Sequence, residues 1–151
     1  MPIYTKEGSS TLWKGGHLCF LQMKGIMEDK RLQQLDVLRT MYDYNKKLRT
    51  GITEVVEEIR TERKEDTQEY LEIVLKGLNW VIQVVNGTKD LLNEKEIIID
   101  KDIINADVME LNQAYMKKDE LAIADLLEKS FLPMLDVLDK AAVELADIQE
   151  N

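Results

Sequence analysis

A single cysteine, Cys19, stands among the 151 residues, so no disulfide can form within the chain. A reducing, cytoplasmic setting is the expectation that follows. The only histidine is His17. A ferritin-like di-metal centre needs Glu-x-x-His on two helices, which one histidine cannot supply. A Ser-His-Asp or Cys-His mechanism would have to recruit that same residue. With Cys19 it makes two soft ligands, short of the four that zinc usually takes. There is no glycine-rich phosphate loop and no G-x-G-x-x-G. No apolar run reaches the roughly 18 residues of a membrane-spanning helix. The start shows no basic cluster followed by an apolar segment, so export is not expected. Basic residues are the minority, 20 against 29 acidic ones, for a net charge of −9. Nucleic-acid binding runs on Lys and Arg neutralising phosphates, so neither a nucleic acid nor an anionic membrane surface is an expected partner. The ordinary reading of the charge is solubility. The functional reading is an acidic face for a basic partner.

Aromatic residues make up 6% of the chain and there are two prolines, while charged residues reach 32%, a balance that suits a helical protein. The most informative stretch is 69–86. Its polar residues Glu69, Glu72, Lys76, Asn79, Gln83 and Asn86 recur at three- and four-residue steps, and nearly everything between them is apolar. A surface helix needs an apolar stripe of only about 100°. This helix must be covered over most of its circumference, as the centre of a bundle or by giving one face to a partner.

Residues 1–26 stand apart. They hold four of the seven glycines together with Pro2, Ser9 and Ser10, and show no helical period. We read them as an irregular leader, expected to be non-native, with Met27 or Met23 as the start. Lys24-Gly25 ahead of Met27 is compatible with a ribosome-binding-like coding stretch. N-terminal sequencing tests this, and a peptide containing Trp13 would overturn it. The leader carries three lysines and one glutamate, so the remainder has a net charge of −11.

From residue 27 onward we expect a single helical domain. A first helix over about 29–62 buries Leu35, Leu38, Met41, Tyr42, Leu48, Ile52, Val55, Val56 and Ile59, with Asn45 on the same side and a bend at Thr50-Gly51. Asp66 or Thr67 caps the second helix, and Asn86-Gly87 closes it with Gly87 in the left-handed conformation. Ile97-Ile98-Ile99 would suit a strand but has no partner strand, so 88–101 reads as a buried connection. A third helix covers about 102–117, turning inward Ile104, Val108, Leu111 and Tyr115. Lys117-Lys118-Asp119 makes a tight turn capped by Asp119. The last helix, about 120–148, carries Ala124, Leu127, Phe131, Met134, Leu138, Ala141, Leu145 and Ile148 at 3-4 spacing, the seam of bundle packing. Pro133 should kink it without shifting that phase.

Three carboxylate pairs at i, i+3 (Glu54/Glu57, Glu69/Glu72 and Asp107/Glu110) put oxygens on one helix face, where Mg²⁺ could bind. Glu54-Val-Val-Glu-Glu58 followed by Glu69-Tyr-Leu-Glu72 looks like the paired-acid pattern of all-α, Mg²⁺-dependent nucleoside triphosphate pyrophosphatases. The chain departs from it: Glu69 and Glu72 lie on the polar stripe, and no basic and aromatic set for a base and triphosphate is evident. Solvated helix faces are the simpler reading, because Asp and Glu are seldom buried. Trp80, beside Asn79, is either core or a partner-facing anchor, and Tyr42, Tyr44, Tyr70 and Tyr115 read as core or core edge. The seven methionines are scattered and define no groove.

The segment Asp119-Glu-Leu-Ala-Ile-Ala-Asp-Leu-Leu-Glu-Lys-Ser-Phe-Leu-Pro133 resembles the closing motif of small, uncharacterised all-helical proteins of Gram-positive bacteria. Val74-Leu-Lys-Gly-Leu-Asn-Trp-Val81 is similar to their middle helix. The resemblance spans about 27–140 and implies a bacterial cytosolic helical domain, with no catalytic residues carried over.

The expected fold is all-α: an antiparallel four-helix bundle with a long first helix, helix two central and a Pro-kinked last helix. The expected function is a non-enzymatic protein-interaction module, namely an adaptor, an assembly or secretion chaperone, or a regulator. It would take a helix or tail, or a second copy as a homodimer, in a groove lined from helices two and four at Trp80, Val84, Phe131 and Met134. No catalytic residue, metal or cofactor is expected. The competing reading is the Mg²⁺-dependent hydrolase acting through Glu54, Glu57, Glu69 and Glu72.

Overall fold

The computed structural model describes the backbone of residues 16–149 and the side chains of residues 28–149. Trp13 and the side chains of His17, Cys19 and Met23 lie outside the described residues. Helix α1 covers Gly16–Arg60, α2 Thr67–Leu92, α3 Lys101–Met116, α4 Glu120–Leu126 and α5 Leu132–Ala146. A π-helical turn, Leu127–Phe131, joins α4 to α5 without a break. With α4 and α5 counted as one interrupted helix, the described residues form an all-α four-helix bundle.

Cross-links between neighbours set the directions. On α1 and α2, Arg31 meets Glu94, Gln34 donates to the Gly87 carbonyl and Glu54 meets Tyr70, which makes the pair antiparallel. Against the last helix, Arg39 donates to the Ala146 carbonyl, Arg49 pairs with Asp136 and Asp139, and Arg60 pairs with Asp125 and Glu128. These two are antiparallel as well. Helix α1 packs along α2 and α5 and touches α4, while α3 leans on α4. The central helix is therefore α1 and not α2.

The reason lies in the spacing along α1. Leu38, Met41, Asn45, Leu48, Ile52 and Val55 alternate three- and four-residue steps, and all are buried. Such a seam faces one set of neighbours along its whole length. Asn45 is the polar member. Its amide donates to Asp139 at 2.8 Å, its carbonyl oxygen finds no partner, and Arg49 holds the other Asp139 oxygen at 2.9 Å. Helix α1 is already formed at Gly16, where the described residues begin, ahead of the expected 29 and inside the stretch set apart as a leader. Residues 18–24 are mostly Leu, Met, Gln and Lys, good helix formers, and extending an existing helix is far easier than nucleating one.

Gly51 is buried within an α1 that runs on to Arg60, and a β-carbon there would lie 3.3 Å from Val74 Cγ2, so it marks a close approach of α2. Gly87 does not end α2, which runs on to Leu92 because Thr88, Leu91 and Leu92 are all buried. Burying two leucines contributes more than the ~1 kcal/mol a mid-helix glycine costs. At its start, neither Asp66 nor Thr67 caps α2 through its side chain. The Thr67 hydroxyl instead accepts from the Lys64 N–H and donates to Glu58, closing the turn behind it.

The 93–100 connection is only partly buried: Ile99 is inside, Ile98 half-buried and Ile97 81% exposed. Asn93 holds it, accepting from the Ile98 and Ile99 N–H groups and donating to the Ile99 carbonyl. Asp100 caps α3 by accepting from the Asp102 N–H, and Asp119 caps α4 by accepting from the Ala122 N–H.

The interruption at Pro133 takes the form of the π turn just before it. Proline has no N–H, and its ring crowds the carbonyl four residues back. Widening the preceding turn relieves that crowding, with the Leu132 N–H reaching back five residues to Leu127. A wider turn returns each side chain to the core later. The seam therefore passes through Leu135 and not Met134, which is half-buried, and Ala142 and Ala146 are buried beside Ala141.

Candidate functional site

Helix α2 exposes Glu69, Glu72, Lys76, Asn79, Gln83 and Asn86, the polar stripe in full. Its inner face (Leu71, Val74, Leu78, Val81, Val84 and Val85) enters the core with α1. The two flanks between these faces are where the apolar arc exceeds what the bundle covers. On the α1 flank, Trp80 meets Tyr44 edge-to-face with ring centroids 5.4 Å apart, and both are half-buried. On the other flank, Leu75 and Ile82 look toward α3 and are only half-buried.

Helices α2 and α3 are not among the closely packed pairs. A groove of about 430 Å³ opens between them, with Leu78 and Leu111 at its floor and Leu75, Ile82 and Val108 as walls. Its lips are Glu72, Lys76 and Asn79 from α2, with Asn112 and Tyr115 from α3. That volume lies within the roughly 300–1,000 Å³ of small-ligand sites, and apolar walls with a few polar lips are their usual composition. At one end the Tyr115 hydroxyl donates to Glu72 at 3.1 Å, which raises the phenol's pKa above its ordinary value. Lys76, Asn79 and Asn112 make no side-chain hydrogen bond or ion pair with another described residue.

Two of the carboxylates singled out in the sequence, Glu54 and Glu72, bond tyrosines. Glu54 accepts from the Tyr70 hydroxyl, a bond that with burial pushes that phenol up to about 12. Glu72 accepts from Tyr115 and from Gln68. Glu54 and Glu57 sit on α1, Glu69 and Glu72 on α2. Among the described residues no three His, Cys, Asp or Glu side chains converge as a metal-sized cluster. Asp125, Glu128, Asp136 and Asp139 pair with Arg60 and Arg49 of α1, and Glu120 is joined to Arg63, in the α1–α2 connection, by two bonds of 2.9 Å. Part of the acidic surface is thus partnered within the bundle.

Of the four residues proposed to meet a partner, Val84 and Phe131 are buried in the core. Truncating Phe131 would cost about 3–5 kcal/mol, a folding effect that would mask any binding effect. Trp80 lies on the α1 flank of α2 and Met134 is half-buried on α5, so the four do not share the groove. Leu75, Ile82, Val108 and Asn112 were not singled out in advance. For Leu75 and Ile82 the one signal was the width of the apolar arc on α2, which names a surplus of apolar surface without saying which flank carries it, and Val108 was read only as an inward residue of the third helix. Among the described residues no helix is long and apolar enough to cross a membrane.

Residues 36–141 match the family described as a domain of unknown function, DUF8042, and the chain belongs to that family. The match takes in α2, α3 and α4 whole, parts of α1 and α5, and both lips of the groove. No curated protein and no solved structure matches the chain.

Proposed function

We propose that this chain is a non-enzymatic protein-interaction module, an adaptor, assembly chaperone or regulator, that docks a segment of another protein in the α2–α3 groove. The observation that carries this reading is the groove itself. Leu75, Ile82 and Val108 form apolar walls that their own bundle leaves half-covered, over a floor of Leu78 and Leu111. Helix-lined apolar grooves with polar lips are a recurrent means of holding peptide segments. One acid of each pair that the hydrolase would use, Glu54 and Glu72, accepts from a tyrosine hydroxyl, which supports a binding role over a Mg²⁺-dependent hydrolase. The lone cysteine and the resemblance to helical proteins of Gram-positive bacteria support a bacterial cytosolic setting.

The experiment is affinity capture from lysate of the native organism, with the full chain and its Ile82→Glu variant as baits and circular dichroism melting as the folding control. A near-stoichiometric partner held by the wild type and lost by a folded Ile82→Glu chain supports the reading. A partner kept by the variant, or recovery of folded bait alone or as a homodimer, overturns it.

A further inference from the structure

Among the described helices α2 packs closely on α1 alone, and its far flank faces α3 and the start of α4 across open hollows. The groove above is one of them. A second, of about 380 Å³, continues it toward the α1–α2 connection, lined by Gln68 and Leu71 of α2, Glu120 and Ile123 of α4, Arg63 and Lys118. Tyr115 lines both hollows, and its hydrogen bond to Glu72 is the bar between them. The two hollows make one cleft with a tyrosine across its middle.

The walls of this cleft carry a period. From α2 it is lined at Gln68, Leu71, Leu75, Leu78 and Ile82, in alternating three- and four-residue steps. From α3 and the turn after it, the lining is Val108, Leu111, Tyr115 and Lys118, in the same alternation. Glu72, Lys76, Asn79 and Asn112 are the lips beside these rows. Two such seams facing one cleft are what a third helix packs against, turn by turn. The α2 row spans about 21 Å at the helical rise, or about four turns. An extended segment would present a side chain to the cleft every ~6.7 Å, out of step with rows that advance about 5 Å. Beside the lip residue Asn112, Met109 and Met116 stand one turn away on either side, 62% and 82% exposed. Flexible thioethers adapt to an apolar face laid against them.

A second copy does not supply the matching face. Outside α3, no helix exposes more than one large apolar side chain among the described residues, namely Leu32, Ile73, Leu121 and Val137. Charge sets the direction of the occupant. On the lips of the first hollow, Lys76 and Glu72 cancel. At the other end Arg63 and Lys118 face one carboxylate, Glu120, which Arg63 already holds by two bonds. Lys118 makes no side-chain hydrogen bond or ion pair with another described residue. That end keeps a net positive charge in a chain of net −9. It suits the C-terminal turn of a helix, where the dipole is negative.

Resting on the docking reading above, we infer that the α2–α3 cleft takes an amphipathic helix of a partner protein, of about four turns, as a further helix of the bundle. Its apolar residues, at 3-4 spacing, enter between the rows of α2 and α3. Its last turn lies at Lys118. Its arrival breaks the Tyr115–Glu72 bond and moves the tyrosine ring off the middle of the cleft.

The test uses the full chain and a displayed library of random peptides of about 18 residues, about five helical turns. Selected peptides are synthesised, each with a counterpart carrying a central proline, and titrated by fluorescence anisotropy and circular dichroism. The expected result is apolar residues at i, i+3 or i+4, and i+7, with helix gained on binding. The proline form should bind at least about tenfold more weakly. Tyr115→Phe, which has no bond to break, should bind roughly twofold to tenfold more tightly. Lys118→Glu should bind roughly threefold more weakly. Both positions are exposed, and unchanged melting controls for folding. A nitroxide on the peptide's last turn should broaden the amide signals of Lys118 and Glu120, and one on its first turn those of Ile82 and Val108. Binding without gain of helix, or a proline form that binds as well, overturns the helix. The docking reading survives that result if Ile82→Glu still abolishes binding. Reversed broadening overturns the assigned direction, and unchanged affinity in Tyr115→Phe overturns the breaking of its bond. Self-association of the chain that Ile82→Glu abolishes would give the cleft to a second copy and overturn the proposal. Selection of no peptide overturns it too and leaves the docking reading to the lysate capture.

Discussion

The phenol oxygen of Tyr44 lies where a β-carbon on Gly77 would have to be. A β-carbon built on Gly77 also comes within 3.1 Å of Tyr44 Cζ and 3.2 Å of Leu48 Cδ1. Alanine is favoured over glycine in a helix by about 1 kcal/mol, whereas overpacking costs about 1–3 kcal/mol. Tyr44 cannot swing aside freely, because its ring is held edge-on by Trp80. Gly77→Ala should therefore lower stability by about 1 kcal/mol in urea unfolding. In a Tyr44→Phe background, where the hydroxyl is gone, the same change should be neutral or stabilising. Equal effects in both backgrounds would mean that the hydroxyl is not what Gly77 makes room for.

Asp139 and Asp136 both pair with Arg49, but only Asp139 also satisfies a buried group, the Asn45 amide. Removing Asp139 leaves that N–H₂ without its acceptor, in a residue whose carbonyl is already unpartnered. Asp139→Ala should cost about 1–3 kcal/mol, the price of a stranded buried polar group. Asp136 is 68% exposed, and Asp136→Ala should stay within about 0.5 kcal/mol. Similar losses from the two variants would place the stabilisation in the arginine pairs and not in the Asn45 bond.

The six polar positions from Glu69 to Asn86 all proved exposed, because an unpaired polar stripe has nowhere to go but water. Asp119 capped as expected, its side chain accepting from the Ala122 N–H, whereas Asp66 before α2 did not. Gly87 was misread as a stop, since a glycine's local cost says nothing of what the next turn buries. Met134 yielded its place to Leu135 because Pro133 changed the winding of the turn before it, which no fixed period anticipates. The groove was out of reach for a related reason. Its walls are ordinary amphipathic residues, and only the distance between α2 and α3 leaves them half-covered.

Lys118 has φ 56° and closes α3, with its own N–H on the Tyr115 carbonyl and the Asp119 N–H on that of Ala114. This is the paired-bond helix ending that glycine usually occupies. A left-handed conformation costs a residue with a side chain about 1–2 kcal/mol, partly offset by glycine's greater freedom when unfolded. Lys118→Gly should raise the melting temperature by about 2–4 °C, the shift expected for about 1 kcal/mol in a chain of this size. A lower melting temperature would show that the lysine side chain contributes something its backbone position does not reveal.

Glu120 is held below the usual carboxylate range by its hydrogen bonds to Arg63. A depressed folded value means that stability is gained above the unfolded pKa and lost as pH falls through the folded one. Glu120→Gln should therefore cost up to about 1 kcal/mol at neutral pH, the range for a partly exposed pair. Below both values the variant and wild type should converge. A loss that persists at low pH would assign the effect to packing and not to charge.

Tyr70 and Tyr115 each donate to a carboxylate, and both phenols are raised, Tyr70 to about 12. For an acid that is neutral when protonated, a raised folded value stabilises the fold at and below the unfolded pKa. That contribution disappears as pH climbs through the folded value. Ultraviolet titration of phenolate should show two tyrosines ionising late. Glu72→Gln should return Tyr115 toward its ordinary value of 10.0 and leave Tyr70 where it was. If Tyr115 ionises late even in Glu72→Gln, then Glu72 is not the acceptor that raises it.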